Sequence, residues 1–170
     1  MGSLWMAGAC LLVASCGRGS PDRARSSAPP PVRLNFAHLR HLLLDKTVGR
    51  MPVRVVALYA NAPQYLPSGS PLRDGLEGIA SVDDAARAAV LFIRAYEQGG
   101  DAQDRAAARG LLQFVVSMEQ GDGEFLNFVD TTGRPNRTAA SSVKSMSYWA
   151  ARGIWALGEA QRVQIGRAHV

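Results

Sequence analysis

"SVDDAARAAVLFIRAYEQGGDAQDRAAARGLLQFVVSMEQG", residues 81–121, decides the fold. Ser81 stands before an apolar run, and Asp84 follows three residues later, so the pair reads as a capping-box-like helix start. Val82, Ala86, Ala89, Val90, Ile93 and Tyr96 then keep a helical period. Gly99 and Gly100 stop that helix, and Asp101 caps the next. Ala108, Leu111, Leu112, Val115 and Met118 give the second helix its apolar stripe, and Gly121 ends it. The link is so short that the two helices must fold back as an antiparallel αα-hairpin. The first helix is also apolar at Ala85, Ala88, Leu91 and Phe92, so it should be surrounded by other elements. Its polar residues, Asp83, Asp84, Arg87 and Arg94, fall in one narrow strip.

Working outward, "DGEFLNFVDTTGRPNRTAASS", residues 122–142, opens on an Asp-Gly turn and a short extended piece, and continues as polar loop. A third helix is expected over 146–162, capped by Ser145 or Ser147, with Trp149, Ala150, Gly153, Ala156, Leu157 and Ala160 on its inner face. Gly153 would let another helix approach closely. On the N-terminal side, residues 35–44 read as a short helix, "VRVVALYA" (53–60) as a strand and 62–78 as loop.

The 170-residue chain is long enough for one domain with a real core. "LWMAGACLLVASC", residues 4–16, reads as a secretory apolar segment, and its end, "VASC", resembles a bacterial lipobox with Cys16 as the lipidated residue. No Lys or Arg precedes that run; a plain cleaved signal or a misplaced start is the alternative. Residues 17–33, rich in Gly, Ser, Pro and Arg, read as a tether from membrane to domain. With Cys16 at the cleavage site no further cysteine remains, so disulfides cannot brace the fold. "IGRAHV", at the end of residues 164–170, looks like the translation of a sequencing-library adapter, and predicts a truncated domain over 34–163. Too few helices to surround the first one point the same way. The net charge of +5 does not argue for nucleic acid, because Arg18, Arg23, Arg25 and Arg33 lie in the tether and a basic tether suits an anionic membrane surface.

"GIASVDDAARAAV" (78–90), "LLQFVVSMEQGDGEFLNFVD" (111–130) and "ARGIWALGEA" (151–160), in that order, resemble the six-hairpin glycosidase-like superfamily. The closest echo is the helical domain found beside some bacterial glycosyltransferases. The resemblance implies a mainly α fold, an incomplete (α/α) toroid of antiparallel helical hairpins, with a small β element near the N-terminus. It also implies a carbohydrate cleft at one end, with acidic groups near helix starts, where Asp83 and Asp84 stand, and with Arg152 and Trp155 matching the family's later Arg and Trp. Related sequences tend to carry an acidic residue before that last helix; "SSVKSMS", residues 141–147, has none.

Glycoside hydrolysis generally needs two carboxyl groups roughly 5 to 9 Å apart. Asp83 and Asp84 are adjacent, so on a helix they point about 100° apart, and at most one of them serves as a catalytic group. The simpler reading is that both favour the positive helix end and pair with Arg87 at i+4 and i+3. Asp83, nearer the apolar edge, is the better cleft candidate. The expected substrate-binding set is Arg87, Asn127, Asp130, Tyr148, Arg152 and Trp155. Asn127 and Asp130 would supply a cleft rim beside Phe125 and Phe128. Tyr148, Arg152, Trp155 and Glu159 share one face of the last helix, suited either to sugar stacking or to packing on another hairpin. No cofactor and no metal is expected: His38 and His41 lack a neighbouring carboxylate or Cys, and His169 lies in the tail. The sequence thus points to an extracytoplasmic, membrane-anchored lipoprotein that acts on carbohydrate, possible activities being glycoside hydrolysis or, alternatively, scaffolding or saccharide binding without chemistry.

Overall fold

The structure, a computed structural model, describes residues 35–67 and 77–165. The stretches read as a signal segment ending at Cys16 and as a tether, and the residues past 165, lie outside the described residues. Helix α2, Val82–Gly99, is the pivot. Ser81 caps it in extended conformation: its hydroxyl accepts from the Asp84 N–H at 3.1 Å and donates to the Asp84 carboxylate at 2.7 Å. Gly100 ends it at φ 69°, a left-handed turn that glycine makes without a Cβ penalty. Asp101 then caps α3, Ala102–Ser117, by accepting from the Gln103 N–H at 2.8 Å. A two-residue link leaves α3 antiparallel to α2 and packed along it, as the periodicity predicts.

Helix α4, Tyr148–Arg162, also packs along α2 and touches α3. Ion pairs fix its direction. Asp83 meets Arg152, Arg94 meets Glu159 and Glu97 meets Arg162, so residue numbers rise together and α4 runs parallel to α2. Gly153 lies where α4 comes closest to its neighbours: a Cβ there would sit 3.1 Å from Val115 and 3.5 Å from Val82.

The fold differs from the expected mainly α, incomplete (α/α) toroid. Among the described residues the architecture is mixed α/β: four helices with three small antiparallel two-stranded sheets, and one αα-hairpin. Residues 35–44 are not one helix. A single turn, α1 (Ala37–His41), gives way to β1 (Leu43–Val48), which pairs with β2 (Met51–Val56) in register Leu43↔Val56 to Val48↔Met51. The two-residue loop has Gly49 at φ 62°, the conformation that closes such a hairpin without splaying it. The hairpin docks on α3 at Gly110, whose absent Cβ would lie 2.7 Å from the Arg54 Cβ. The stretch read as one strand over 53–60 is split: β2 ends at Val56, and Ala60–Asn61 forms β3, paired with β4 (Leu66–Pro67). Strand β5 (Ala80–Ser81), just ahead of α2, pairs with β6 (Phe128–Val129). About thirty residues of turns and bridges connect α3 to α4, where a toroid would place a short loop between hairpins.

Gln164 and Ile165 are tied to the end of α4. After Val163, Gln164 takes φ 56°, its N–H donates to the Gln161 carbonyl at 3.3 Å, and the Ile165 N–H reaches back to Ala160 at 3.0 Å. This is a Schellman cap, and it buries Ile165 in the core.

Candidate functional site

The expected site residues are gathered unevenly, and the gathering starts from the first turn of α2. Helix starts leave N–H groups without intrahelical partners. Here Val82 donates to the Asn127 backbone oxygen at 2.9 Å, Asp83 to the Asn127 side-chain oxygen at 3.4 Å, and Asp84 to Ser81. The Asn127 amide nitrogen donates to the Ser141 carbonyl at 3.0 Å, and the residue is 1% exposed. Asn127 is therefore a buried clamp on the helix start.

Asp83 leaves that buried turn toward two guanidinium groups. Arg87 Nη2 donates to its Oδ2 at 2.9 Å, and Arg152 Nη1, from α4, to its Oδ1. The same Arg87 Nη2 donates to Asp84 Oδ1, while Asp84 Oδ2 takes the Ser81 hydroxyl. Both pairings of Arg87 expected from i+3 and i+4 spacing are present. The two aspartates do not diverge as adjacent helical side chains would suggest, because one guanidinium nitrogen draws both together. Hydrogen bonding to Asp83 pushes the Arg152 guanidinium further up from its ordinary value. No local spacing announces the Arg152–Asp83 contact, because 69 residues separate the partners.

Arg152 also lies over the Tyr148 ring, 5.4 Å from its centroid, a cation–π contact. Tyr148 is 52% exposed and meets the Trp149 ring edge-on at 5.1 Å. Trp149 is buried, and its indole N–H donates to the Phe125 carbonyl at 2.9 Å, which fixes the start of α4. Trp155 is two turns further along the same outer face and 44% exposed. Past it lies a second ionic group. Arg162 grips Glu97 with two bonds of 2.7 Å and reaches Glu159 at 3.0 Å, with Arg94 3.6 Å from Glu159. Hydrogen bonds from Arg162 hold both glutamates below their ordinary values.

Asp130 does not join the cluster. Its Oδ1 accepts from the Thr132 N–H and hydroxyl at 2.8 and 2.6 Å and from the Arg134 N–H at 3.0 Å. It builds a turn whose Gly133, at φ 83°, abuts the Thr47 carbonyl of β1, and that turn is anchored by Lys46 donating to the Thr131 carbonyl at 3.0 Å. Residues brought together are thus Asp83, Asp84, Arg87, Arg152 and Tyr148, with Trp155 on the same face; Asn127 supports them from beneath, and Asp130 stands apart.

The arrangement is an open surface. The hollows along α3 and the hairpin are lined by other residues. Among the described residues no group of His, Cys, Asp or Glu is placed to hold a metal ion, and no helix is long and apolar enough to cross a membrane. Neither a protein-family model nor a curated protein matches this chain.

Proposed function

We propose that the protein binds saccharide on the outer face of α2 and α4 without hydrolysing it, and that the lipobox-like segment ending at Cys16 holds it at a membrane surface outside the cytoplasm. The observation that carries the reading is Asp83 clamped between Arg87 and Arg152 beside the half-exposed Tyr148 ring. A pyranose offers vicinal hydroxyls on its edge and C–H groups on its face. Carboxylate and guanidinium groups held in register suit the first, and an exposed aromatic ring suits the second. The order of motifs across 78–160, similar to six-hairpin glycosidase-like sequences, supports carbohydrate as the ligand class.

Binding is favoured over hydrolysis by the same geometry. Every oxygen of Asp83 and Asp84 already accepts a hydrogen bond from an arginine or from Ser81. Each of these oxygens keeps a lone pair for a sugar hydroxyl, but both carboxylates accept from the same guanidinium nitrogen, so they stand side by side instead of flanking a glycosidic bond. The test is titration of the full chain with neutral oligosaccharides, followed by calorimetry and by analysis of products. Tyr148→Ala is expected to weaken binding about tenfold, the worth of one aromatic platform, with the melting temperature little changed. Asp83→Asn should weaken binding and stability together, and no shortened sugar should appear. Cleavage that Asp83→Asn or Asp84→Asn abolishes without loss of stability would establish the hydrolase reading instead. Absence of binding across the panel would remove the saccharide reading.

A further inference from the structure

Helices α3 and α4 flank α2, and between them runs a hollow of about 380 Å³ away from the Asp83 cluster. Leu112 and Ile165, both buried, form its floor; Val116, Leu157 and Met51, from the hairpin tip, form its walls. Because α3 is antiparallel to α2 and α4 parallel to it, α3 and α4 oppose one another. Arg109 therefore lies by the C-terminal end of α4, while Val115 lies by Gly153, nearer the start of α4. Arg109 is exposed, and among the described residues no side chain or carbonyl engages its guanidinium. The other exposed arginines of these helices, Arg87, Arg94 and Arg162, are all paired, as is the half-buried Arg152. An apolar trough thus ends on one uncommitted cation.

We propose that this groove binds a medium-chain amphiphile with a single carboxylate head, its tail between α3 and α4 and its head on Arg109. Charge selects the head: a guanidinium at the rim takes a carboxylate in paired hydrogen bonds. Size selects the tail. Seven residues of helix separate Arg109 from Val116, roughly 10 Å. Spread over that length, the hollow has a cross-section of roughly 35 Å². That width takes one extended alkyl chain along its length, whereas a helix, about 10 to 12 Å across, could lay only side chains into it. The volume also falls at the small end of the range of about 300 to 1,000 Å³ for small-molecule sites.

The experiment titrates the full chain with decanoate, hexanoate and decanol, each below its micelle or solubility limit, and reads affinity by calorimetry. Decanoate should bind saturably at one site. Hexanoate, four methylenes shorter, should bind at least tenfold more weakly. Arg109→Gln should weaken decanoate about fivefold and leave decanol unchanged, since only the charged contact is removed. Val116→Gln, at an exposed position, should weaken both decanoate and decanol, with an unaltered melt showing that the fold is kept. Three results would overturn the proposal: no saturable decanoate binding, equal affinities in wild type and Arg109→Gln, or a protein dimer that buries the groove and is indifferent to decanoate.

Discussion

Asp83 is one carboxylate holding two arginines from two helices, and its buried backbone makes that geometry stiff. The first link is local and legible in sequence, since Arg87 stands four residues on in a helix. The second is tertiary, and only the parallel packing of α4 creates it. Asp130 shows the same division: its stretch reads as polar loop in the sequence, and only the fold shows Asp130 building a turn that closes over β1. Burial pushes the Asp130 carboxyl up, and the hydrogen bonds from Thr132 and Arg134 together outweigh it, holding it below its ordinary value. The unfolded chain then binds the proton more tightly than the native one. The contribution of Asp130 to stability is therefore complete above the ordinary carboxylate value of about 4, and is lost as pH falls through the lower folded value. The melting temperature of Asp130→Ala should lie below that of the wild type by a constant gap at neutral pH, and the gap should shrink as the solution is acidified below about pH 4. A gap independent of pH would refute the account.

At the scale of elements, α2, α3 and α4 are legible because each joins a period of apolar residues to identifiable caps. Strand β1 is not. Leu39, Leu42, Leu43 and the residues around them satisfy a helical spacing as well as a strand, and only pairing with β2 decides between the two. The C-terminal cap goes unannounced because Gln164 occupies the left-handed position that glycine usually marks. Helix α4 offers a direct test of what its glycines do. A methyl added at Gly158 would meet nothing within 4 Å, so Gly158→Ala should stabilise the protein by about 1 kcal/mol through helix propensity. Gly153→Ala gains the same propensity, but its methyl would meet Val115, Val82 and Phe125 at 3.1, 3.5 and 3.7 Å in the core. Val115 is fully buried and has little room to retreat. Gly153→Ala is thus expected to destabilise by about 1 kcal/mol or more. Chemical denaturation of both variants reads the opposite signs; equal stabilisation would mean that Gly153 is not a close-packing position.

For the molecule as a whole, one buried cluster runs from Val53 and Val55 of the hairpin through Leu111 and Phe114 of α3 and Phe92 and Ile93 of α2 to Trp149 of α4. This continuity is what the αα-hairpin pattern alone could not reveal: the wide apolar surface of α2 and the apolar stripe of α3 are covered partly by β structure and by the segment between α3 and α4. A hairpin sharing its core with the helices should melt with them. Gly110→Ala probes that coupling, because its methyl would press on the Arg54 Cβ, an atom fixed to the β2 backbone. The misfit should cost about 1 to 3 kcal/mol. If the hairpin and the helices form one cooperative unit, urea unfolding of Gly110→Ala keeps a single transition and an unchanged slope, and only its midpoint falls. A second transition, or a shallower slope, would show that the hairpin separates from α3 before the helices unfold. The face that carries Asp83, Arg152 and Tyr148 lies on α2 and α4, whereas the hairpin packs chiefly on α3. Saccharide affinity measured below the midpoint should accordingly be the same in Gly110→Ala as in the wild type, and a loss of affinity there would tie the binding face to the hairpin.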